Sequence, residues 1–171
     1  MNKRLKRNFH SGYTLIELII YVGILAILLG VLSSIFTSIV DVQLESSATS
    51  SVNQDGRYLL SKLLYDVKSS SAILIPASPG TSSSSLQLTI NSINYTYSLD
   101  GNGNLQVVNN STSETNILNS YDTSISGLTF TRVGNGGSSD TIRVSFSLTG
   151  KTIERAGVKE TKTFQTTLGS Q

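Results

Sequence analysis

From Leu18 to Val40 the chain reads LIIYVGILAILLGVLSSIFTSIV, with no charge and no proline. As a helix this run would rise roughly 34 Å, enough to cross a hydrocarbon core of about 30 Å. Polar positions then return with a new spacing. Leu60, Leu63, Leu64 and Val67 recur at i, i+3, i+4 and i+7, with Arg57, Lys62, Asp66 and Lys68 mostly on other faces. No proline intervenes before Pro76. The pattern therefore predicts one helix from about Tyr13 to about Ser71, apolar all round in its first half and amphipathic in its second. The helix is expected to be weakest near residues 46–56, where ESSATSSVNQDG holds poor helix formers and Gly56 costs on the order of 1 kcal/mol relative to alanine.

After PASPGTSSSS, a loop by its prolines and serines, the period changes to two. LQLTI (86–90), INYTYSL (93–99) and NLQVV (104–108) read as strands, and DGNG (100–103) is a strong hairpin turn between the second and third. Residues 109–126 read as loop. GLTFTRV (127–133) and TIRVSFSL (141–148) flank a second glycine turn, GNGG (134–137), and VKETKTFQTTL (158–168) supplies a last strand. Tyr95, Tyr97, Phe130, Phe146 and Phe164 alternate with polar residues, which makes them core or cross-strand pairs first. The expected fold is α+β: a long N-terminal helix, a membrane half plus an amphipathic half, packed through the Leu60–Val67 stripe on one small antiparallel sheet.

Charge and composition narrow the function. Of 13 Lys and Arg, four (Lys3, Arg4, Lys6 and Arg7) lie in the first seven positions, leaving 9 basic side chains against 11 acidic ones if residues 1–12 are removed. That remainder is no nucleic-acid binder by bulk charge. There is no cysteine, and the one histidine is His10. Thiolate chemistry, zinc–thiolate sites, Ser-His-Asp triads and imidazole ligands are thereby missing from the chain beyond its start. No cofactor or metal is called for, and an enzyme is not expected. A carboxylate hydrolase would need a deep pocket with two converging acids. Asp100, Asn102 and Asn104 have calcium-loop spacing, but Leu105 stands where a glycine is required and Ser111 where the closing glutamate belongs, so a hairpin turn is the better reading.

The basic cluster precedes the apolar run, which places the N-terminus in the cytoplasm and everything after Val40 outside. The run is too long, and wrongly flanked, for an ordinary removed secretory signal. KRNFHSG followed by YTLIELIIYVGILAILLGVL resembles the class III signal of type IV prepilins and pseudopilins: a basic leader ending in Gly12, then aromatic Tyr13, then Glu17 inside a hydrophobic helix. The resemblance covers about the first 40 residues and departs from the commonest pattern in having Tyr13 where phenylalanine is usual. It implies cutting between Gly12 and Tyr13 by a membrane aspartic prepilin peptidase, and methylation of the new Tyr13 amine. Gly12 has no side chain to obstruct an extended backbone in a narrow cleft, and Lys3, Arg4, Lys6 and Arg7 would hold that bond at the cytoplasmic face.

Glu17 admits two readings. It can be a solvated acid at a helix start, favoured there by the helix dipole. In the family context, its carboxylate would face the Tyr13 ammonium of a neighbouring subunit within an apolar bundle, where an unpaired charge is costly. The resemblance favours assembly over catalysis. Expected partners are other pilin or pseudopilin subunits, the prepilin peptidase, an inner-membrane assembly platform with its ATPase, and the lipid bilayer. The expected location is the inner membrane and then a pilus or pseudopilus. The expected segments are a cleaved leader (1–12), a membrane and filament-core helix (13–40), an amphipathic helix continuing into the head (41–75) and a β-rich extracytoplasmic head (76–171). GRYLLSKLLYDVKSSSAI (56–73) resembles minor pilins and pseudopilins of the J and W kinds, although any amphipathic helix covering a sheet would look similar. The alternative from another class is a single-span anchored protein whose β-rich head binds an envelope partner and never polymerises.

Overall fold

The computed structural model describes residues 12–134, 141–152 and 157–169. The leader cations Lys3, Arg4, Lys6 and Arg7, together with His10 and residues 135–137 of the second glycine turn, lie outside them. The chain divides into two compact units between Val40 and Asp41. Helix α1 runs from Leu15 to Ser69 and belongs to both.

In the first unit the large apolar side chains from Leu15 to Ile39 are each more than half exposed. Among the described residues, α1 is the one helix long and apolar enough to cross a membrane. An apolar surface this continuous does not stay in contact with water.

The second unit is α+β, as the periodicities require, but its strands form two antiparallel sheets rather than one. β1 (Ala72–Ile75), β3 (Leu86–Ile90), β4 (Ile93–Leu99), β5 (Leu105–Asn109) and β6 (Glu114–Ile117) form the first, in that spatial order. β2 (Ser82–Ser83), β7 (Thr123–Val133), β8 (Thr141–Gly150) and β9 (Thr161–Gly169) form the second, in that order. One hydrophobic cluster joins the helix to both sheets, with Leu59, Leu63, Leu86, Leu88, Tyr97, Phe130 and Phe146 at its centre. Tyr95 and Phe164 pack against it half-buried.

Three sequence expectations are corrected. Residues 109–126 are not all loop: β6 pairs Glu114–Ile117 with Gln106–Asn109, after a turn carrying Ser113 at φ 60°. The helix ends at Ser69, and residues 72–75 of the segment read as helical are strand β1, which sends Ile73 into the core. Four residues are too few for a period to show. The buried helical stripe is Ala48, Val52, Gly56, Leu59, Leu63, Asp66 and Val67, whereas Leu64 is 37% exposed. The adjacent pairs Leu59–Leu60 and Leu63–Leu64 satisfy the same spacing on two neighbouring faces, so periodicity alone could not choose between them.

The helix does not loosen at residues 46–56. Ala48 and Val52 are core residues, and a Cβ on Gly56 would meet Phe164 Cζ at 2.2 Å. The aromatic ring lies directly on the helix backbone, an approach only glycine permits. Asp55 adds a polar tie, accepting from Ser120 N at 2.9 Å, Ser120 Oγ at 2.7 Å and Thr123 Oγ1. Asn53 Oδ1 accepts from Lys162 Nζ at 2.7 Å. A weak helix former is here stabilised by what it touches.

The sheets are fastened to each other by backbone groups. Arg132 on β7 donates to the carbonyls of Ile73, Pro76 and Ala77 at 3.1, 3.2 and 2.9 Å. Ile125 N donates to Gly103 O at 2.7 Å, docking the β4–β5 turn on β7. Within that turn Asp100 Oδ1 accepts from Asn102 N and Asn104 N, both at 2.8 Å, and Oδ2 from Asn104 Nδ2 at 2.8 Å. Chiefly the bonds from Asn104 hold its carboxyl below the usual carboxylate range. The acid is therefore spent on closing a hairpin.

Candidate functional site in the N-terminal segment

Gly12, Tyr13 and Thr14 precede the first turn of α1. Thr14 caps it: its Oγ1 accepts from Glu17 N at 3.3 Å, and its carbonyl accepts from Leu18 N at 3.1 Å. TLIE is the Thr-x-x-Glu arrangement of a capping box, a local signal that places the helix start and that the hydrophobic run had overshadowed. Glu17 thus sits in the first turn, where the helix dipole favours a negative charge.

Its carboxylate already has a partner. Tyr21, one turn on, donates its phenol to Glu17 Oε1 at 3.4 Å. The Tyr21 ring also meets the Tyr13 ring edge-on, with centroids 6.1 Å apart and planes at 84°. Tyr13 and Glu17 are therefore gathered on one side of the segment by a residue that the sequence reading passed over as one more apolar position. An i, i+4 spacing from Glu17 was the available signal. Gly12 stands in open space: a Cβ there would meet nothing within 4 Å. No contact within the described chain demands glycine at this position.

The family model described as the prokaryotic N-terminal methylation motif matches residues 7–33. The chain carries a type IV prepilin-like signal. The matched stretch contains Gly12, Tyr13, Thr14, Glu17 and Tyr21, and its motif is that of structural pilin subunits rather than of an enzyme family. No curated protein and no solved structure matches the chain. Motif and exposed apolar helix together fit a prepilin-like protein with a single-pass membrane anchor.

The head offers one further chemical cluster. Asp66, read from sequence as a residue of the polar face, is 3% exposed. It accepts from Lys62 Nζ at 2.9 Å and from Tyr97 Oη at 2.6 Å. Burial, and then the hydrogen bond and negative charge of Asp66, push the Tyr97 phenol far above its usual pKa. A cavity of about 300 Å³ adjoins the cluster, walled by Ile90, Tyr95, Val107, Asn116 and Leu118. It contains one carboxylate, already paired, and not the two converging acids that hydrolysis would need. Among the described residues, no buried side-chain polar atom lacks a hydrogen-bond partner, and no group of three His, Asp or Glu gathers to hold a metal. The cluster acts as an internal brace between helix and sheet.

Proposed function

We propose that this prepilin-like protein is a structural subunit, of the minor pilin or pseudopilin kind, in a type IV pilus or a related type II secretion or DNA-uptake filament. The peptidase cuts between Gly12 and Tyr13 and methylates the Tyr13 amine, while Lys3, Arg4, Lys6 and Arg7 keep the bond at the cytoplasmic face. Residues 13–40 wait in the bilayer. An ATPase-driven platform then transfers them into a bundle of like helices, and the head stands outside the membrane. There the Tyr13 ammonium of one subunit meets the Glu17 carboxylate of another, in surroundings where leaving either unpaired is costly.

The observation that carries this reading is the coincidence of the motif match at residues 7–33 with an apolar helix surface that nothing within its own unit covers. Lipid covers such a surface before assembly, and neighbouring helices cover it afterwards. Gly12→Ala is a clean probe, because the added methyl touches nothing in the described chain. Intact mass of the membrane-extracted protein is measured for wild type and Gly12→Ala, with and without the peptidase. The expected result is a wild-type product beginning at Tyr13 that is missing from the variant and from peptidase-deficient cells. A full-length chain in every sample would overturn the proposal and leave an anchored head that does not polymerise.

A further inference from the structure

We propose that Tyr21 is a positioning residue for assembly, holding the Glu17 carboxylate by its phenol and Tyr13 by its ring so that both pairing groups are presented together before a second subunit arrives. The inference rests on the assembly reading above and deepens it. Three features of the segment support it. The phenol reaches Glu17 Oε1 at 3.4 Å, while Oε2 accepts no hydrogen bond from the described residues and is left open to an incoming ammonium. The edge-on contact with Tyr13 draws the residue that would bear the new amine against the same helix. The Thr14 cap fixes the turn from which Glu17 projects.

Surroundings raise the value of this arrangement. In water a phenol–carboxylate bond on an exposed helix contributes little, because both groups are hydrated. Against lipid the alternative partners are scarce, and a hydrogen bond to a charged group matters more. A carboxylate free to rotate would have to be ordered at the moment of docking. One already restrained loses less freedom when it pairs. Tyr21 is 55% exposed, so its phenol acts from the helix surface where another subunit would dock and not from within a core. The incoming group committed to here is the Tyr13 ammonium of a second prepilin-like subunit.

The sequence has no cysteine, so a single cysteine at Ala26, Gly30 or Ser33 reports helix–helix contact cleanly through disulfide dimers formed in the native membrane. Dimer fraction and intact mass are compared for full-length wild type, Tyr21→Phe, Glu17→Gln and the double variant. Tyr21→Phe keeps the ring and removes the hydroxyl. It should leave the Tyr13-starting product unchanged and lower the dimer fraction by roughly threefold or more, the scale of one hydrogen bond. Glu17→Gln should lower it at least as far, and the double variant should match Glu17→Gln alone, because the phenol acts only through the carboxylate. A packing role for Tyr21 would instead make the two losses multiply, and that result overturns the inference. So does a wild-type dimer fraction in Tyr21→Phe when Glu17→Gln is impaired. A wild-type dimer fraction in Glu17→Gln would remove the assembly role of Glu17 itself.

Discussion

Replacing Gly56 by alanine sets two effects of known sign against each other. In an exposed helix the change would stabilise by about 1 kcal/mol, because glycine has the larger backbone entropy to lose. Here the new methyl would lie 2.2, 2.4 and 2.6 Å from three atoms of the Phe164 ring. Ordinary carbon–carbon contact is roughly 3.5 Å or more, so the ring must retreat by about 1 Å. It cannot do so freely, since it is stacked on Phe146 with centroids 5.6 Å apart and planes at 21°. Overpacking of this kind costs about 1–3 kcal/mol, so a net loss of up to about 2 kcal/mol is expected after the propensity gain is subtracted. The assay is urea unfolding of the full chain in detergent, followed by tyrosine emission, for Gly56→Ala, Phe164→Leu and the pair. Leucine lacks the ring atoms that collide. In that background alanine at position 56 should become neutral or stabilising. If Gly56→Ala stabilises the protein with Phe164 present, or if Phe164→Leu leaves its sign unchanged, the ring does not dictate the glycine.

The polar ties in the head give further expectations. Tyr97→Phe removes one bond to a buried carboxylate and should destabilise by about 1–2 kcal/mol, whereas Asp66→Ala strands both Lys62 and the Tyr97 hydroxyl and should cost about 3 kcal/mol or more; urea midpoints separate the two. Because the folded protein holds Tyr97 protonated and the unfolded chain releases that proton near pH 10, its contribution is complete below about pH 10 and is lost as pH rises beyond it. Stability measured from pH 8 to 11.5 should therefore fall at the alkaline end, and less steeply in Tyr97→Phe. Asp55→Ala should cost about 1–3 kcal/mol and speed hydrogen exchange at the Ser120 amide, and unchanged exchange there would show that Asp55 does not hold the segment before β7.

Whatever depends on neighbours in the chain was legible before any fold was known. The apolar run from Leu18 to Val40, the order of basic leader, Gly12, Tyr13 and Glu17, the change of period after the loop and the DGNG turn are all local patterns. The motif match at residues 7–33 and the long apolar helix agree with them, because a prepilin-like signal, an apolar run and a tight turn are each local patterns. Tertiary packing decided the rest. It chose Leu59, Leu63 and Val67 over Leu60 and Leu64, because Ala48 and Val52 extend the first row and the core closes on it. It turned Asp66 inward, which a polarity pattern would never choose, by adding the Tyr97 hydroxyl from β4 to the Lys62 partner one turn back on the same helix. It made strands of segments as short as Ala72–Ile75 and Glu114–Ile117 by giving their backbones an adjacent strand to bond, and it divided one expected sheet into two. Gly56, a defect when the helix is considered alone, became a requirement once Phe164 lay on it. The spacing of hydrophobic residues limits which faces of an element can be buried; only the partner that arrives from elsewhere in the chain determines which one is.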